Sequence, residues 1–161
     1  MFVKILVAYF SQSGDTRKIA KLIRQKTDGK IFEIEPETPY QGEYDAVLER
    51  AKGEIENGIR PPLKAVPDSF DSYDTIFVGS PNWWSKVAPP VATFLSSGDL
   101  SGKTIIPFCT HGGGGVGEIA KDIAELCPAS KLKPGFTLPG NSGERAEALV
   151  DAWLREIGIV R

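Results

Sequence analysis

The sequence is short of cysteine, of histidine and of any excess of charge. Its two cysteines, Cys109 and Cys127, fall where a strand and a helix are expected to end. A disulfide framework is therefore not expected, and a reducing, cytoplasmic location is. No Cys-x-x-Cys pair occurs, so Cys109 reads as a small buried strand residue rather than a redox thiol. Lysine plus arginine total 19 against 21 aspartates and glutamates, a net charge of -2. That balance lacks the basic stripe by which proteins hold nucleic acid. No apolar run is long enough to span a membrane. The apolar start, Phe2 to Phe10, is too short for a signal-peptide core with a cleavage site, and it runs straight into a polar loop. Repeats and low-complexity tracts are also missing. The length suits one domain, residues 1–161, that buries about two-thirds of the surface its unfolded chain would expose.

What is present is an alternation of strand and helix patterns. Val3 to Phe10, Lys30 to Ile34, Thr75 to Gly79 and Thr104 to Cys109 are apolar runs bounded by turn residues, and Lys133 to Leu138 is a weaker fifth. Helical spacing places Ile19, Leu22 and Ile23 on one face, and Val116, Ile119, Ala120, Ile123 and Ala124 on another. Ala146, Leu149, Val150, Trp153, Leu154 and Ile157 form the clearest amphipathic stripe, which puts Trp153 in the core. The order predicts an α/β fold with a parallel sheet covered on both faces. Glu35 to Asp74 is irregular: Tyr44 to Asn57 can form a helix, and Pro61, Pro62 and Pro67 interrupt the chain beyond it.

Three strand-end loops carry the functional reading. The first, Ser11-Gln12-Ser13-Gly14-Asp15-Thr16, opens the first helix. Backbone N–H groups there point outward, the helix dipole favours negative charge, and the hydroxyls of Ser11, Ser13 and Thr16 can donate to a phosphate. Gly14 allows a tight turn. No lysine or arginine falls within the loop, so binding would rest on neutral donors, with Arg17 and Lys18 at longer range. The alternative is that Ser13 only caps the helix. The second loop, Gly79-Ser80-Pro81-Asn82-Trp83-Trp84, brings two tryptophans to a strand end. Either one stacks on a flat ligand such as a flavin, or both pack beneath a helix at Val87 to Leu95, with one of the adjacent pair expected to turn inward. The third, Thr110-His111-Gly112-Gly113-Gly114-Gly115, spends conformational entropy that a close ligand would justify; the alternative is a hinge. Its N–H groups suit the pyrimidine edge of a flavin. His111, the sole histidine, either contacts that ligand and supplies a proton near neutral pH or simply faces solvent.

With these loops the chain resembles the flavodoxin family over nearly its whole length. Ser11-x-Ser13-Gly14-x-Thr16 is similar to the family's phosphate loop. Gly79-x-Pro81-x-Trp83-Trp84 and Thr110-x-Gly112-Gly113 resemble the two ring-enclosing loops of a bacterial subgroup, as do Tyr40, Tyr44, Glu54, Asn57, Arg60 and Pro61 between them. The resemblance implies a doubly wound five-stranded parallel sheet, strand order 2-1-3-4-5, with a ligand at the carboxyl ends of its strands. It also implies non-covalent flavin mononucleotide (FMN), held by Ser11, Gln12, Ser13, Gly14, Asp15, Thr16, Ser80, Pro81, Asn82, Trp83, Trp84, Thr110, His111, Gly112, Gly113 and Gly114. Electron transfer to redox partner proteins or small-molecule acceptors is the expected function. An NAD(P)H-dependent oxidoreductase acting on quinones is the alternative, and a flavin-free interaction module a third reading. Unlike the acidic electron-carrier flavodoxins, the chain has only Lys86 as a charge from Thr75 to Leu95, so steering toward a basic partner is not evident there.

Overall fold

The computed structural model describes residues 4–111, 117–139 and 143–160. In chain order the elements are β1 (Ile5–Tyr9), α1 (Asp15–Thr27), β2 (Lys30–Glu33), α2 (Tyr44–Glu56), β3 (Thr75–Trp83), β4 (Lys86–Val87), α3 (Pro89–Leu95), β5 (Thr104–His111), α4 (Gly117–Leu126), β6 (Lys131–Leu132), β7 (Phe136–Pro139) and α5 (Arg145–Glu156). The sheet runs β2-β1-β3-β5-β6, with β4 paired to β3 and β7 to β5. The expected parallel order is kept along this path, but five strands become seven. β3 continues past Gly79 and turns back as β4, the one antiparallel pairing among these strands. The fifth position is shared: Ile105 faces Leu132 while Phe108 faces Phe136, so three steps along β5 are matched by four on the other side. Pro134, which has no N–H to donate, lies in that interruption.

Successive residues of β1 point to opposite faces, and each face meets its own helices. Val7, Phe77 and Ile106 pack under Ile19 and Ile23 of α1 and Val150, Trp153 and Leu154 of α5. Leu6, Ile76 and Ile105 pack under Val47 of α2, Val91 and Phe94 of α3, and Ile119 and Ile123 of α4. Trp153 lies in the core as expected, whereas Leu149, on the same predicted stripe, is exposed at its margin. At Gly79 the ring of Phe108 crosses so closely that an added Cβ would sit 2.3 Å from its Cζ. Glycine is needed there for packing, not for a turn.

The irregular segment after β2 makes an excursion. It leaves the end of β2 and returns to it through a bridge between Pro36 and Leu63, with Glu37 N–H donating to the Pro62 carbonyl and Lys64 N–H to the Glu35 carbonyl. α2 lies within this excursion, and its Leu48 carbonyl accepts the indole N–H of Trp84 at 2.9 Å. Chain that is remote in sequence is thereby brought to the tip of the β3–β4 hairpin.

Candidate functional site

Parallel pairing sets the ends of β1, β3 and β5 side by side: Tyr9 faces Gly79, Gly79 faces Phe108, and Pro81 faces Thr110. The first loop and the start of the third are tied directly. Thr16 Oγ1 and Thr110 Oγ1 lie 2.9 Å apart, and both residues are buried. Two hydroxyls sharing one hydrogen bond leave one O–H hydrogen over. No second acceptor for it exists among the described residues. A buried donor in that state costs free energy unless something accepts from it.

The loop around it is open. The N-cap of α1 is Gly14, at φ 99°, and no side chain caps the helix. The Ser13 hydroxyl donates instead to the Asp15 carboxylate at 3.2 Å, so a plain capping role for Ser13 is not what its side chain does. Ser11 Oγ accepts from the Gly14 N–H at 3.0 Å, which shapes the turn and leaves its own hydrogen to donate. Nothing lies within 4 Å of where a Cβ on Gly14 would stand. Uncapped first-turn N–H groups, serine and threonine hydroxyls and a positive helix end together suit a phosphate. Asp15, by contrast, sets a negative charge at the same helix end.

The tryptophan segment is a hairpin rather than a loose loop. Asn82 faces Val87 and Trp83 faces Lys86, leaving Trp84 and Ser85 as the two-residue turn. Both have positive φ, 57° and 60°, as this tight turn demands and as non-glycine residues resist. The tryptophans divide as expected: Trp83 is buried and Trp84 is half exposed, with Lys52 Nζ 5.4 Å from its ring centre. Ser80 holds the hairpin base, its hydroxyl accepting from Ala88 N–H and donating to the Pro81 carbonyl, both at 2.8 Å. Pro81 and Asn82 are partly exposed on the same strand. The backbone of His111 pairs with Pro139 at the end of β5, whereas Gly112, Gly113 and Gly114 lie outside the described residues.

The residue that joins these parts is Tyr40, which the sequence marked only through a family resemblance. Its ring meets Trp83 edge-on at 5.2 Å and Phe10 at 5.9 Å, and the Arg50 guanidinium lies 3.9 Å above it. Its hydroxyl donates to the buried Glu54 carboxylate at 2.5 Å. The Gln12 side chain donates to its carbonyl at 3.1 Å, linking the first loop. Burial first, and the neighbouring Glu54 second, hold the phenol well above the usual tyrosine range, so it stays protonated. No sequence pattern links Tyr40 with Trp83, because they meet only when the excursion folds back. On the other side of β1, Arg17 pairs with Glu33 at 2.6 Å and reaches the Tyr9 hydroxyl at 3.4 Å.

The fold recurs in known proteins. The family model described as Flavodoxin matches residues 4–157. A protein designated a flavoprotein from Bacteroides eggerthii is 32% identical, with a TM-score of 0.83 over 96% of this chain and 97% of its own. Another from Bacteroides uniformis is 34% identical, with a TM-score of 0.82 over 94% of this chain and 99% of its own. A Lactobacillus acidophilus flavoprotein solved in complex with FMN shares the fold at 22% identity, TM-score 0.76, over 94% of this chain and 98% of its own. No curated protein sequence matches. The family match spans nearly the whole chain, and the ends of β1, β3 and β5 stand where a doubly wound sheet receives a ligand; the chain belongs to the flavodoxin family.

Proposed function

We propose that the protein holds FMN non-covalently at the ends of β1, β3 and β5 and serves in electron transfer. The observation that carries the cofactor is the spare hydroxyl hydrogen of the buried Thr16–Thr110 pair, beneath the uncapped start of α1. The FMN-bound Lactobacillus acidophilus protein of the same fold supports it. Ser11, Ser13, Thr16 and the first N–H groups of α1 would receive the phosphate. The hairpin, held by Ser80 and by Tyr40 beneath Trp83, would form one wall of the ring site, with Asn82, Trp84, His111 and the glycines contributing. Bound FMN would supply reversible uptake of one or two electrons.

A carrier is favoured over an oxidoreductase by α2. Asp45, Glu49 and Glu56 are exposed on it, Tyr44 is 62% exposed, and Trp84 is fastened to it at Leu48. Lys52 is exposed among these acids and lies over Trp84, so the helix presents a net-acidic surface beside the hairpin that a basic redox protein could approach, although the hairpin's own sequence has no acid. The test is to load purified protein with FMN and mix it anaerobically with NADH or NADPH while following flavin absorbance. Stable FMN binding with no direct bleaching supports the carrier. Rapid bleaching by nicotinamide alone would transfer the proposal to the NAD(P)H-dependent oxidoreductase acting on quinones or similar acceptors, and failure to retain FMN would remove both.

A further inference from the structure

A cavity of about 200 Å³ opens between the end of α2, the strand β4 and the helices α3 and α4. Its walls include Ile55, Ile59, Val87, Pro89, Ala92 and Leu126, and four charged residues border it: Glu54, Arg60, Lys86 and Asp122. Three of the four are already matched. Glu54 accepts the Tyr40 hydroxyl and lies 3.6 Å from Arg50. Asp122 accepts the Val87 N–H at 3.0 Å and stands 3.8 Å from Lys86. Arg60 differs. One of its terminal nitrogens donates to Ser96 Oγ at 2.6 Å, which holds the guanidinium in place, but no carboxylate pairs with it among the described residues. Ile59 beside it is 51% exposed, a large apolar side chain that the fold does not cover.

We propose that this cavity is a ligand site for a small monocarboxylate with a compact apolar or aromatic body. The guanidinium presents a planar fork with N–H groups to spare, which suits a carboxylate in two-point contact. The apolar wall accepts the rest of the ligand, and Ile59 is covered when it binds. The volume suits a small ligand, being below the roughly 300–1,000 Å³ of pockets for drug-sized molecules. Because Glu54 and Asp122 are matched by Arg50 and Lys86, Arg60 is the cation there that lacks a carboxylate among the described residues, which suits a ligand with one such group. The site is separate from the FMN reading and does not depend on it, although Val87, in its wall, is paired directly with Asn82 across the hairpin.

The experiment is a titration of the isotopically labelled protein with sodium benzoate, followed in amide NMR spectra, with benzamide as the neutral control. It is run with FMN absent and with FMN at saturation. Benzoate should bind saturably, with a dissociation constant on the order of 1 mM for so small a ligand, and shift the amides of Gly58, Ile59, Arg60 and Ala92. Benzamide should bind about tenfold more weakly, and Arg60→Gln, an exposed substitution that leaves the core intact, should weaken benzoate about tenfold while leaving benzamide unchanged. No saturable shift, equal binding of the two probes, or indifference to Arg60→Gln would each overturn the proposal. Competition between benzoate and FMN would overturn it too, by assigning the cavity to the flavin site. Failure of FMN to bind at all would leave the benzoate result standing and count only against the cofactor.

Discussion

Individual side chains at the start of α1 have opposite effects on the same ligand. Thr16 is buried against Thr110 and carries or receives the bond that leaves one hydroxyl hydrogen spare. Replacing Thr16 and Ser13 together by alanine should weaken FMN by about 1–3 kcal/mol for each charge-assisted bond lost. Fluorescence titration reads this directly, and unchanged affinity would rule out the phosphate assignment. Asp15 acts the other way. Its carboxylate complements the helix dipole, but it stands where a phosphate would bring like charge. Asp15→Asn should therefore tighten FMN by several-fold at low salt, with the gain shrinking as ionic strength rises; tighter binding by the acid form would mean that the phosphate lies elsewhere.

At the scale of elements, the hairpin turn makes a backbone demand and the central strand a packing one. Ser85 holds φ 60° in an exposed turn, a conformation glycine adopts without penalty. Ser85→Gly should stabilise the protein by roughly 0.5–1 kcal/mol. In a chain of this size that raises Tm by about 2–4 °C per kcal/mol, which calorimetry can resolve. Gly79→Ala should do the reverse. Its Cβ would stand 2.3 Å from Cζ of the fully buried Phe108 ring, which would have to shift within the packed core, and the overpacking should cost about 1–3 kcal/mol. A neutral outcome at Gly79 in urea unfolding would show that the Phe108 ring moves aside without cost.

Over the whole molecule, burial opposes the ionisation of several groups at once. The Cys127 thiol is pushed up to about 11 by burial, and Tyr9 and Tyr40 are raised first by burial as well. A group whose folded value lies above its unfolded one loses its proton sooner in the unfolded chain, so alkaline pH favours unfolding. The stability these groups contribute is whole below the ordinary thiol value near 9. It should fall as pH rises through about 11 and continue falling as the tyrosines ionise, so the urea midpoint should drop steadily above pH 9; a flat midpoint would contradict the buried assignment of these groups. The strand runs, the amphipathic faces and the serine–glycine–threonine turn were legible in the sequence because each is a local pattern of side-chain period or backbone freedom, whereas the structure decided that Ser13 does not cap the helix. That one of the two adjacent tryptophans turns inward was legible for a similar reason, since adjacent residues in an extended chain face opposite ways, but that it is Trp83 was decided by the fold. The continuation of β3 into a hairpin, the split at Pro134, the Tyr40–Glu54–Arg50 cluster and the cavity at Arg60 were not legible. The cluster and the cavity depend on α2 folding back to the end of β2 across a bridge from Pro36 to Leu63, and the hairpin and the split on which strands meet, long-range pairings that no local preference encodes. Sequence alone determined which loops come together at the ends of β1, β3 and β5, because parallel strands with helical crossovers gather those ends on one edge. Only the tertiary structure decided what stands around that edge, because burial and charge are set by neighbours that meet on folding.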